Sequence, residues 1–194
     1  MRDVIVGATI HRDCTLVSRP GVAPTWAFSI KMLHLAFIIF CLLFATVSRS
    51  EEARYIVTYV YDGDTVKLHP INTFSQKNDF KLRITDIDAP ERNQPFGQKS
   101  RRALIKLCQG HNVIATTKVI AKDQYQRALG KLQCNGADAS LHLVNLGLAW
   151  YNSKYANDVA LERAEMNART QKLGLWADEK PISPWAWRRL HQRN

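Results

Sequence analysis

Three short segments carry residue types that can do chemistry. They are Asp62-Gly63-Asp64-Thr65, the run from Arg83 to Glu91 (RITDIDAPE), and Asp123-Gln124-Tyr125-Gln126-Arg127. Arg83 and Asp88 are an odd number of positions apart, so a regular strand would set them on opposite faces. Asp88 ends that strand, however, and Ala89-Pro90 breaks the pleat. Pro90 fixes φ and pushes Ala89 towards an extended conformation. That break can aim Asp88, the Ala89 carbonyl and Glu91 into one pocket. Carboxylate and carbonyl oxygens are hard ligands of the kind Ca²⁺ takes. Spacing alone does not make them converge. Read singly, Asp64 fits a turn residue and Asp88 a solvated strand end. No CxxC, HxxxH or GxSxG pattern offers another chemistry. His69, His111, His142 and His191 read as surface or packing residues.

The elements that must position these segments follow from periodicity. Residues 55–61 (YIVTYVY) are β-branched and aromatic and read as a strand. Asp62-Gly63 is a two-residue hairpin signal, and residues 64–69 form the return strand. After a polar loop, residues 80–87 alternate as a third strand. Pro95 and Gly97 open a helix whose apolar positions 103, 104, 107 and 108 share a face. Residues 111–120 and 128–134 are two further strands. Asp138 caps a second helix ending at Gly147, and Asn157 or Asp158 opens a third that runs to about residue 172. The Pro- and Trp-rich tail, residues 176–187, is expected to pack back on the body. This order predicts an α+β fold, a five-stranded OB-type Greek-key β-barrel with three helices.

Taken together, the three segments resemble the staphylococcal nuclease (thermonuclease) family. Its aspartate-glycine-aspartate-threonine hairpin stands at 62–65, its arginine-to-glutamate strand at 83–91 and its aspartate-x-tyrosine-x-arginine loop at 123–127. Asn145-Leu146-Gly147-Leu148-Ala149 and Leu173-Gly174-Leu175-Trp176 are similar to later signatures. The Pro184-Trp185 tail is similar to bacterial exported members, and the likeness spans residues 55–189. It implies a Ca²⁺-dependent endonuclease acting on DNA, with RNA left open as a second substrate, and leaving 3′-phosphate ends. Asp64 and Asp88 would bind Ca²⁺ through carboxylates and Ala89 through its carbonyl. Glu91 would be the general base. Arg83 and Arg127 would clamp phosphate, and Tyr125 would lie by the nucleotide. The alternative is a non-catalytic OB-type nucleic-acid-binding module. Three departures bear on this: Ala89 replaces a threonine, Gln124 a basic or polar residue, and Gln126 a glycine. If that glycine needs positive φ, Gln126 is strained and can misplace Arg127.

Charge agrees with a polyanionic partner. The 194 residues carry a formal net charge of +10. From residue 51 onward 22 Lys+Arg face 15 Asp+Glu, so +7 belongs to the folded body. Arg101, Arg102 and Lys106 are equally a groove lining and a solvated helix face. The tryptophans read as packing residues. Residues 35–47 (LAFIIFCLLFATV) form an apolar run too short for a bilayer span and suited to a signal-peptide core. Some thirty residues precede it, and Met32 stands directly before it. The expected organisation is therefore an over-extended leader over residues 1–31, a signal peptide over 32–50, the nuclease-like domain over 51–189 and a tail over 190–194. That makes the mature protein a secreted or periplasmic monomer without stable membrane insertion. Cys14 and Cys41 lie ahead of the domain, while Cys108 and Cys134 fall within it, either bonded to each other or buried as thiols.

Overall fold

The computed structural model describes residues 53–191. The expected leader, signal peptide and cleavage point, with Cys14 and Cys41, lie outside the described residues. No helix among the described residues is long and apolar enough to cross a membrane.

Five strands close the barrel: β1 (Arg54–Val60), β2 (Thr65–Pro70), β3 (Phe80–Ile84), β5 (Ala115–Lys122) and β6 (Ala128–Cys134). Between β3 and β5 come β4 (Ile87–Asp88) and helix α1 (Gly97–Cys108). The sheet order is β3-β2-β1-β5-β6, and a parallel pairing of β3 with β6 closes it, with Leu82 opposite Ala128. The expected OB-type barrel is therefore present. Its interior is Val57, Val60, Val66, Leu68, Leu82, Ile84 and Leu132, all buried. Each such side chain contributes about 1.5–3 kcal/mol of burial. Val57 and Val60 both point inward although three positions apart, because the register with β2 slips between Val57 and Tyr59. Thr58 is the extra, bulged residue that makes this parity possible.

Downstream lie β7 (Ala137–Asp138), α2 (Ala139–Asn145), β8 (Trp150–Tyr151), α3 (Val159–Thr170) and α4 (Pro184–His191). The Asp138 carboxylate accepts the Leu141 amide, and Asp158 accepts those of Ala160 and Leu161, so both expected caps are present. The number of helices is a correction: α4 is a fourth. Its eight residues, five of them Pro, Trp or Arg, carry too few turns for a periodic signal. The predicted strand over 111–120 also shifts, to Ala115–Lys122.

Two glycine contacts organise the chain around the site. Gly63 does not make a two-residue hairpin turn, since residues 61–64 all lie between the strands and its φ is not positive. What requires glycine is proximity: a Cβ there would fall 1.9 Å from Ser100 Oγ on α1 and 2.7 Å from the Ala89 Cβ. Gly147 and Gly174, both at positive φ, press backbone to backbone, and the Leu175 amide donates to the Gly147 carbonyl at 2.8 Å. This contact sets Trp176 against Trp150 at 4.4 Å, and Trp150 in turn meets Trp185 of α4 at 5.4 Å. The tail thus packs back through its tryptophans.

Cys108 of α1 and Cys134 of β6 are joined as a disulfide, which settles the alternative left by the sequence. The bond spans 26 residues. Replacing both cysteines with alanine is expected to cost about 3 kcal/mol in chemical denaturation, mostly by freeing the unfolded chain.

At the far end of β2, both ring nitrogens of His69 face acceptors. Nδ1 donates to Asp79 and Nε2 to the Thr73 carbonyl, which only the imidazolium can do together. The Asp79 bond raises the His69 pKa, and Lys67 and His69 hold Asp79 below its ordinary value. The His69 contribution is complete below the unfolded value of about 6.5 and is lost as pH rises through the raised folded value. The Asp79 contribution is lost at the acid end, as pH falls through its depressed value. His69→Ala is therefore expected to lower the melting temperature more at pH 5.5 than at pH 9, in thermal unfolding at the two pH values.

Candidate active site

The site forms where β3, the 61–64 loop and β4 meet. β3 stops at Ile84, and Asp86 adopts φ of 70°. An aspartate tolerates that region better than most residues. Here its carboxylate is tied to Lys131 at 3.1 Å and its carbonyl accepts the Asn152 amide at 2.9 Å. The expected strand over 80–87 is thus broken at Thr85-Asp86, four residues before the proline held responsible. The kink resets the parity, and β4 then pairs with β8, with Asp88 opposite Trp150. As a result Asp88 faces Arg83 instead of opposing it.

Arg83 brackets the two aspartates. Its Nη1 lies 3.1 Å from Asp64 Oδ2 and its Nη2 donates to Asp88 Oδ1 at 2.8 Å. Nη1 also donates to the carbonyls of Ile84 and Ile87. Asp64 further accepts the Thr65 hydroxyl and the Ala89 amide, at 3.0 and 2.7 Å. Asp64 and Asp88 are only 5% and 2% exposed. Burial pushes the Asp64 carboxyl up to about 7, against the Arg83 charge and with help from Asp62. Burial also raises Asp88, where the bond from Arg188 opposes it and the Asp64 charge adds to it. Both buried acids stay at raised values even with Arg83 and Arg188 beside them, so a divalent cation would find room to add positive charge there.

The donor set fits such an ion. It consists of the Asp64 and Asp88 carboxylates, both oxygen donors. Among the described residues no group of three His, Cys, Asp or Glu side chains forms a closed metal cage. An ion held here would take its remaining ligands from water and substrate phosphate, as hard cations in phosphate-transfer sites do.

Asp64, Arg83 and Ala89 line a cleft of about 1010 Å³ that also holds Glu91, Tyr125, Arg127 and Arg188, while Asp88 lies buried against Arg83. That volume lies at the upper end of small-molecule pockets and suits a polymer segment. Arg127 and Tyr125 sit on the loop between β5 and β6. Asp123 accepts the backbone amides of Tyr125 and Arg127 at 2.9 Å and the Arg127 Nε at 2.7 Å. Despite a burial cost, those bonds hold Asp123 below its ordinary value. With Nε pinned, the two terminal nitrogens of Arg127 have no protein partner among the described residues and can meet a phosphate. Gln126 does take positive φ, 61°, so the strain expected from replacing glycine is there, and the Asp123 bonds hold the loop in spite of it. Tyr125 is exposed and lies under the Arg127 guanidinium at 5.5 Å.

The structure therefore brings Asp64, Ala89, Arg83 and Glu91 to one cleft, with Asp88 buried against Arg83 and with Arg127 and Tyr125 lining the same cleft from a separate loop. Arg101 does not line it; its Nε donates to the Val60 carbonyl at 2.8 Å, beneath Tyr59. One residue the sequence reading missed is Arg188. It lies about a hundred positions from the acids, in a tail without periodicity, so no spacing rule reaches it. Its Nη2 donates to Asp88 Oδ2 at 2.7 Å and its Nη1 to Glu91 Oε1 at 2.8 Å. Burial opposes its charge, yet those bonds hold its pKa above the ordinary arginine value.

Comparison with known proteins gives the family. A family profile described as staphylococcal nuclease homologue matches residues 81–178. A Haemophilus influenzae protein named an uncharacterized endonuclease is 35% identical over 164 residues, 84% of this chain and 88% of that one. An Escherichia coli O157:H7 protein of the same description is 34% identical over 133 residues, covering 68% and 82% of the two chains. The staphylococcal-like nuclease CAN1 of Arabidopsis thaliana is 34% identical over 110 residues, 57% of this chain but 33% of that protein.

Proposed function

This chain belongs to the staphylococcal nuclease homologue family, and from that premise we propose that it is a calcium-dependent endonuclease. It hydrolyses phosphodiester bonds of DNA, accepts RNA, and leaves 3′-phosphate ends. The observation that carries this reading is the pair of buried carboxylates bracketed by Arg83 beside a cleft that Asp64, Arg83 and Arg127 line together. A pure binding module has no use for buried acids beside a phosphate site, because carboxylates without a cation repel the backbone.

Asp64, Asp88 and the Ala89 carbonyl would hold Ca²⁺. When bound, the ion supplies the positive charge that lets an anionic phosphodiester approach two carboxylates. Arg127, oriented by Asp123, places its two free nitrogens on phosphate oxygens, a forked geometry that lysine does not offer. Arg83 shares the charge that builds on those oxygens in the five-coordinate transition state. Glu91, at the cleft rim, takes a proton from the attacking water. The water oxygen bonds to phosphorus, the bond from phosphorus to the 5′-oxygen breaks, and that oxygen takes a proton from solvent. The products are a 3′-phosphate and a 5′-hydroxyl. Tyr125 flanks the nucleotide. Phosphate and sugar contacts of this kind carry little sequence information, which supports cleavage without sequence preference.

Export belongs to the same reading, supported by the apolar run at residues 35–47 and by a disulfide of the kind that persists in oxidising compartments. The test is incubation of the purified protein with plasmid, single-stranded DNA and RNA, in Ca²⁺, in Mg²⁺ and in chelator, followed by end-group analysis. Degradation restricted to Ca²⁺ with 3′-phosphate ends is expected. Retention of DNA without cleavage in every condition would leave the OB-type binding module as the account.

A further inference from the structure

Arg188 covers the two groups that the proposed reaction most needs free. Asp88 Oδ2 is bonded to Arg188 Nη2 at 2.7 Å, and Oδ1 is shared between Arg83 at 2.8 Å and Arg188 Nη1 at 3.4 Å. Both oxygens of a ligand carboxylate therefore face guanidinium donors. Glu91 Oε1, the oxygen that would receive a proton, is bonded to the same arginine at 2.8 Å. A doubly charged ion on Asp88 would lie close to this guanidinium and repel it.

The fold gives Arg188 somewhere to go. The start of α4 is fixed: Pro184 is buried, Trp185 packs on Trp150, and the Gln94 amide donates to the Ile182 carbonyl at 2.7 Å. The last turn faces solvent, with Leu190 65% exposed. The Arg188 side chain is itself 41% exposed, and it lines the same cleft as Arg83 and Arg127. An arginine released from Asp88 thus stays within the channel where a phosphate would lie, and its planar fork matches phosphate oxygens as well as carboxylate oxygens.

We propose that Arg188 is an exchangeable arm of the site, neutralising Asp88 and Glu91 while no cation is bound and transferring to a substrate phosphate once a divalent cation takes Asp88. This rests on the reading of Asp64 and Asp88 as cation ligands. It makes α4 part of the substrate site, with Arg188 as its third phosphate-binding arginine.

Two affinities are expected to move in opposite directions in Arg188→Gln. Measured by calorimetry without nucleotide, Ca²⁺ binds the variant at least about 5-fold more tightly, because its competitor is gone. At saturating Ca²⁺, a nucleoside 3′,5′-bisphosphate, which has no diester to cut, binds about 10-fold or more weakly, as expected for a lost bond to a charged group. Arg188→Lys, which keeps the charge but not the fork, falls between wild type and Arg188→Gln in both measurements and controls for damage to α4. Equal or weaker Ca²⁺ binding by Arg188→Gln overturns the competition, and unchanged nucleotide binding overturns the transfer. If neither wild type nor variant binds Ca²⁺, the cation reading fails and this proposal fails with it.

Discussion

Arg83→Gln is expected to lose both stability and turnover, and added Ca²⁺ should restore only the first. Arg83 is the bracket between Asp64 and Asp88 and also satisfies two backbone carbonyls. Removing one partner of a buried ion pair costs about 3–5 kcal/mol, because the remaining charge has no compensation. Protonation limits that cost, since the Asp64 carboxyl already sits at about 7. Its folded value lies above the unfolded value of about 3.9, so the native state binds more protons between the two. Stability of the cation-free protein therefore falls as pH rises through that window. Without Arg83 the fall continues to higher pH, so the variant's deficit widens between pH 5 and pH 8. Ca²⁺ replaces the missing positive charge, and at saturation the melting temperature recovers. Turnover stays down by about 10²–10³, the usual loss when one transition-state donor is removed. Thermal unfolding at both pH values, in chelator and in Ca²⁺, read beside cleavage rates, checks each part. A deficit that ignores the cation would mean that Asp64 and Asp88 do not share one.

Much of the barrel was legible because its signals are local. Alternation and β-branched residues mark the five strands, and Asp138 and Asp158 announce their helices by capping. The site was legible only as three segments, since whether Asp64, Asp88 and Arg83 converge depends on a backbone kink. That kink was assigned to Pro90, a residue with an obvious mechanism. The chain turns at Asp86 instead, through an αL conformation stabilised by Lys131 and Asn152, two contacts distant in sequence. Gly63 shows the same limit. Its type suggested a tight turn, whereas its role is to let α1 come close, which only the packed structure reveals. Arg188 is the extreme case. Its position depends on a relay from the Gly147–Gly174 contact through Trp176, Trp150 and Trp185, and no single link in that relay is a sequence motif.

Glu91→Gln is the complementary expectation: a large loss of turnover with almost no loss of stability. The Glu91 side chain is 35% exposed, and its one ion pair is with Arg188, which keeps both bonds to Asp88 when Glu91 is changed. An ion pair this open contributes about 0–1 kcal/mol, so the melting temperature should scarcely move. Glutamine has nearly the same shape, and the Glu91 backbone amide keeps its bond to the Gln94 side chain at 3.2 Å. What is lost is the acceptor for the proton of the attacking water, and a positioned general base contributes about 10²–10⁴ in rate. A fall of that size in kcat, at an affinity for a nucleoside 3′,5′-bisphosphate no weaker than wild type, is therefore expected under saturating Ca²⁺. The contrast with Arg83→Gln is the informative part, because there rate and stability fall together while here only the rate does. A Glu91→Gln protein that cuts DNA at the wild-type rate would remove Glu91 from the chemistry and confine it to its second visible role, anchoring Arg188 at the rim of the cleft.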